Sequence, residues 1–102
     1  MENLTFRQTK EATFTTPVVK FTEGEVQDEY GKKSKAVQIK GFARNGNFAV
    51  SIANGYAEAL TVWGGISGKV VKDFRNNCVY IVGDEYSNLS ISTVHKAVVT
   101  MA

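Results

Sequence analysis

One cysteine, one proline and one histidine among 102 residues leave little room for several kinds of chemistry. A lone Cys78 cannot close an internal disulfide, and no signal-peptide pattern opens the sequence, so a reducing cytoplasm is the expected compartment. No apolar run approaches the ~20 residues that a helix needs to cross a bilayer, so no membrane partner is expected. His95 sits beside Lys96 with no Cys, Asp or Glu at metal-ligand spacing, which argues against a metal. Cys78 precedes Val79 and Tyr80 in an apolar stretch, where a thiol is a small hydrophobe rather than a nucleophile. The acid pairs Asp28-Glu29 and Asp84-Glu85 are adjacent, so on a strand their side chains diverge and neither forms an acid–base dyad. Gly64-Gly65-Ile66-Ser67-Gly68-Lys69 lacks the spacing of a phosphate-binding loop. The expectation is a protein without catalytic residues, cofactor or metal.

What is present describes an ordinary globular chain. Apolar residues make up 43% and charged residues 22%, enough for a modest core, and residues 1–102 read as a single domain. Net charge is only +2, but it is unevenly placed. Glu23, Glu25, Asp28 and Glu29 fall together, and Lys32, Lys33, Lys35, Lys40 and Arg44 follow with no acid among them. Such a stripe suits a polyanionic partner and equally suits a solvated surface.

The strongest local pattern is AVQIKGFARNGNFAVSIA, residues 36–53. Asn45-Gly46 between alternating apolar residues predicts a β-hairpin, because both central residues of its tight turn need positive φ. That register pairs Ala43 with Phe48 and Ile39 with Ile52, placing Val37, Ile39, Val50 and Ile52 on one face and Lys40, Phe42 and Arg44 on the other. Before it, residues 3–10 read as a short strand or arm. Residues 12–22 read as a strand broken at Pro17, and residues 23–35 as a long loop or β-arm turning at Tyr30-Gly31-Lys32. After it, NGYAEALTVW (54–63) is the one candidate helix, with Asn54 as cap and Gly64-Gly65 as stop; a strand through 59–63 competes. Residues 67–75 and 78–82 read as strands around an Asn76-Asn77 turn, the second covered on both sides. Residues 83–87 read as a polar loop, and 88–99 as a final strand or strand pair. The sum is an all-β fold, a small five- to six-stranded antiparallel barrel or sandwich with at most one short helix.

Single-stranded nucleic acid is held by cations that follow its backbone and by rings on which its bases stack. Lys40, Phe42 and Arg44 offer that combination. Tyr30, Lys32, Lys33 and Lys35 approach from the preceding loop, and Lys20, Lys69, Lys72, Arg75 and Tyr86 extend the set. Phe42 has two readings, an exposed platform or a core residue. Trp63 is read as core or interface.

The C-terminal stretch CVYIVGDEYSNLSISTVHKAV resembles the closing strands of OB-fold single-stranded-DNA-binding proteins, with a loop before a run of the type L-x-I-x-x-x-x-V. KEATFTTPVV is similar to the early strand of the small filamentous-bacteriophage DNA-binding proteins, which are OB-fold dimers. The resemblance implies an OB-fold barrel, a homodimer or larger assembly, and binding of single-stranded DNA on the face of strands two and three. The sequence ends VVTMA rather than in an acidic tail, which within that resemblance implies a compact, phage- or plasmid-like version. RNA in place of DNA stays open at this point. So do a protein-interaction module, such as a phage inhibitor of a host enzyme or a virion component, and a carbohydrate-binding sandwich using Trp63 and the tyrosines.

Overall fold

Three successive strands form an antiparallel meander at the start of the chain: β1 (Thr5–Thr15), β2 (Val19–Gln27) and β3 (Lys33–Gly41). Helix α1 (Gly46–Val62) then leads to a hairpin of β4 (Lys69–Asp73) and β5 (Cys78–Val82), and helix α2 (Ile91–Met101) follows. The computed structural model describes residues 4–42 and 45–101, with residues 10–12 described by their backbone alone.

Each tight turn is set by local chemistry. Thr16 Oγ1 accepts from the N–H groups of Val18 and Val19, and Pro17 sits in this turn, where no ladder bond is asked of it. Asp28 Oδ1 accepts from Tyr30 and Lys32, while Gly31 takes φ +84°. Of residues 23–35, expected as a long loop or β-arm, 23–27 and 33–35 are strand, and the turn is five residues around Tyr30-Gly31-Lys32. At the β4–β5 turn Asp73 Oδ1 accepts from Asn76 N, and Asn77 adopts the left-handed φ of +54° that its short polar side chain tolerates.

The strand order is β1-β2-β3-β5-β4. Inserting β5 beside β3 leaves β1 and β4 as edges, so the sheet is open rather than the expected barrel, and two helices cover one of its faces. Their core joins Val19, Phe21, Val37, Ile39, Val79 and Ile81 of the sheet to Val50, Ala53, Ala57 and Leu60 of α1 and Val94 and Ala97 of α2. On the other face, Val26, Ala36, Cys78 and Tyr80 form a smaller cluster against Leu4, Phe6 and Val82, with Phe6 stacked on Tyr80 at 5.3 Å. β5 is thus covered on both faces, as its unbroken apolar run implies.

The 36–53 hairpin does not form. Its first half is β3, whose partners are β2 and β5, and its second half opens α1. Asn45 is the helix N-cap, extended at φ −80°, ψ 123°, with Oδ1 accepting from Phe48 N. Gly41 is where strand and helix meet most closely: a Cβ there would lie 2.5 Å from the Ala49 carbonyl oxygen.

The expected final strand is also a helix. Ser90 and Thr93 cap α2 reciprocally, Thr93 N donating to Ser90 Oγ and Ser90 N to Thr93 Oγ1. A second acceptor comes from far away in sequence: Glu23 Oε1 takes the N–H of Ile91 at 2.6 Å. Replacing Glu23 with Ala is expected to destabilise the fold by about 1 kcal/mol, the usual cost of a lost N-terminal acceptor. Urea unfolding followed by far-ultraviolet circular dichroism checks this.

Candidate nucleic-acid interface

Strand alternation and register decide which of the sequence-derived residues meet. Lys20 pairs directly with Lys40 across β2 and β3, on the face without helices. Two like charges on cross-strand partners, about 5 Å apart, oppose folding slightly, so packing does not account for them. The ladder continues one step past the strands, where Phe42 N donates to Val18 O at 2.9 Å. Alternation then puts Val18 and Phe42 on the same face as the lysines, with Phe42 54% exposed. Phe42 is a surface ring rather than a core residue.

The β4–β5 turn closes this end of the sheet, because Lys40 pairs with Cys78 and Cys78 with Asp73. Arg75 lies in that turn beside Phe74, a half-exposed ring that the sequence reading leaves inside an alternating strand. Its signal was Asn76-Asn77, which places the turn close enough for Phe74 to fall outside β4. Arg44 lies outside the described residues.

A second group occupies the other end of the same face, about 20 Å away at 3.3 Å per strand residue. Tyr30, Lys32 and Lys69 border a groove of about 540 Å³ floored by Leu4, Val26, Val71 and Val82, with Asp28 and Glu29 also on its rim. Lys33 and Lys35 alternate away from this face. Lys35 pairs with Glu25, whose Oε1 already holds Arg7 at 2.7 Å. Lys33, Lys35 and Tyr86 border a second hollow of about 430 Å³ with Asp84 and Glu85, which adjoins the groove at Lys32 and Ser34. Lys72 turns to the helix side of β4, near Asn54 and Glu58. The structure therefore brings together Lys20, Lys40 and Phe42, sets Tyr30, Lys32 and Lys69 further along the same face, turns Lys33, Lys35 and Lys72 to the other side of the sheet, and leaves Tyr86 in the hollow that adjoins Lys32.

Between the two groups the face carries one acid, Asp73, held by neighbouring donors. Tyr80 donates its hydroxyl to Asp73 Oδ2 at 3.2 Å, and Gln38 Nε2 donates to Cys78 Sγ. Burial, more than any neighbour, raises both the Cys78 thiol and the Tyr80 phenol above their ordinary values, so each stays protonated near neutrality. Among the described residues no three His, Cys, Asp or Glu side chains group as metal ligands, and no helix is long and apolar enough to cross a membrane. His95 lies on α2 with its ring 4.7 Å from that of Phe14. Compared with protein-family models, with curated proteins and with solved structures, the chain matches none.

Proposed function

We propose that the helix-free face of the sheet binds single-stranded DNA without reading its sequence, as a binding protein rather than an enzyme. The observation that carries this reading is the exposed quartet Val18, Lys20, Lys40 and Phe42, two cations and a ring side by side on paired strands. Lys20 and Lys40 neutralise phosphates, and Phe42 stacks a base. The strand then runs along the face toward Lys32, Lys69 and Tyr30, the last 88% exposed. An open sheet serves this purpose as well as a barrel does, since stacking needs only a flat row of rings on exposed strands.

Fluorescence titration of a labelled oligo-dT at two salt concentrations tests the proposal. Binding at low salt that weakens steeply as salt rises is the expected result, because phosphate contacts release counterions. No binding at low salt would refute it, and an oligo-U arm separates DNA from RNA. Phe42→Ala is expected to weaken oligo-dT binding by about 1–3 kcal/mol, the worth of one stacked base. Its melting temperature should stay close to that of the parent, because more than half of the ring is already in water.

A further inference from the structure

We infer that α1 pairs with α1 of a second copy of this chain, antiparallel and centred on Gly55. On the outer side of α1, Phe48 and Val62 are 61% and 68% exposed, and each lies seven residues from Gly55. Seven residues are two helical turns, so Phe48, Gly55 and Val62 form one stripe, about 10 Å from centre to either end. An antiparallel pair crossing at Gly55 sets Phe48 of each copy against Val62 of the other. That is the self-matching arrangement that a two-fold interface requires.

Gly55 is the residue that such a crossing needs and that the isolated fold does not. A Cβ there would find nothing within 4 Å, and a glycine in mid-helix costs stability relative to alanine. Its one evident use is to let another backbone come close. Ile52 and Ala59 flank the stripe on the side toward α2, where an apolar groove of about 430 Å³ runs between the helices and ends at Met101. Trp63, 81% exposed at the end of α1, stands beside it as a protruding ring.

Charge favours a second copy over a charged partner. Glu58, three residues from Gly55 and exposed at the edge of the stripe, is the one charged residue in the 17 of α1, and the groove lining holds none, so the surface offers a charged partner little to pair with. Phe48, Val62, Trp63 and the groove from both copies would bury on the order of 1,000 Å², the lower bound for a specific interface. This inference does not rest on nucleic-acid binding, and the sheet face stays free in such a pair.

Sedimentation of the full chain from low micromolar to sub-millimolar concentration tests it, with fluorescence of Trp63, the single tryptophan, read on the same samples. The expected result is a shift from 11.2 kDa to twice that mass as emission moves to shorter wavelength. Gly55→Arg should stay monomeric throughout and melt no lower than the parent at low concentration, since its side chain enters open space. Val62→Glu, also on the exposed stripe, should do the same should the first variant misfold. A parent that is monomeric at every concentration overturns the inference, as does a dimer that survives the folded variants.

Discussion

Reversing Lys20 and Lys40 together to Glu is expected to abolish measurable oligo-dT binding at moderate salt while leaving the fold intact. Each lysine that neutralises a phosphate adds about 0.7 to the slope of log affinity against log salt on a single strand, so losing two removes about 1.4. The new carboxylates then repel the backbone, and the combined loss should exceed roughly a hundredfold, or about 2.7 kcal/mol. Stability is the control. Two glutamates repel across the ladder much as two lysines do, so the melting temperature should hardly move. The single Lys20→Glu variant is sharper still: it creates an opposite-charge pair with Lys40, expected to add about 0.2–1 kcal/mol of stability while binding falls. Effects of opposite sign on folding and binding are hard to explain unless the two lysines act on a partner. Unchanged oligo-dT affinity in the double variant would refute the assignment of this face.

Replacing Phe21 with Ala is expected to cost about 3–5 kcal/mol, a large share of the 5–15 kcal/mol by which domains are usually stable. The ring is fully buried, stacked on Phe14 at 4.4 Å and edge-on to Tyr56 at 5.9 Å. It therefore ties β1, β2 and α1 at one point. The melting temperature should fall by roughly 12 °C or more. Thermal unfolding checks this directly, and a loss below ~1 kcal/mol would contradict the packing described. The contrast with Phe42→Ala separates a ring that holds the fold from one that faces solvent.

The strands were largely legible because their evidence is local. Cys78–Val82 is unbroken and apolar, Asn76-Asn77 turns the chain, and Val37 and Ile39 alternate onto the apolar side, which is the core. What misled the reading of 36–53 was a pattern with two solutions. Phe48, Val50 and Ile52 alternate like a strand, yet Ala49, Val50, Ala53, Ala57 and Leu60 also satisfy the helical period. Asn45-Gly46 serves equally as a hairpin turn and as a helix cap, and only the length of the apolar pattern, carried on through 62, favours the helix. At 88–99 the alternation of Leu89 and Ile91 with serines hid the cap formed by Ser90 and Thr93. Its second acceptor, Glu23, lies 68 residues away and leaves no local trace.

The candidate site was partly legible for the same reason. Lys40 and Phe42 lie two apart, at and just past the end of β3, so alternation alone joins them. That Lys20 stands opposite Lys40, and that Lys33, Lys35 and Lys72 turn away, follows from strand register. Register is set by how the turns at 16–18 and 28–32 close. The barrel expectation failed on topology, because no local pattern announces that β5 inserts beside β3.

That insertion has a consequence for how the chain folds. β2 and β3 meet across five residues, and β4 and β5 across four, but β3 and β5 pair residues 38 to 46 positions apart. Closing a loop of that size costs about 3 kcal/mol of chain entropy plus a constant, which is paid before any contact across the seam returns it. The meander and the hairpin should therefore form early and separately, with the β3–β5 seam, dressed by α1, as the slow step. Ile39→Val, on the seam opposite Val79, is expected to slow folding, whereas Val94→Ala, on α2, which docks on the finished sheet, should mainly speed unfolding. Stopped-flow measurement of both limbs distinguishes them. The meander that carries Lys20 and Lys40 would be complete before this step; the face that continues to Lys69 exists only after it.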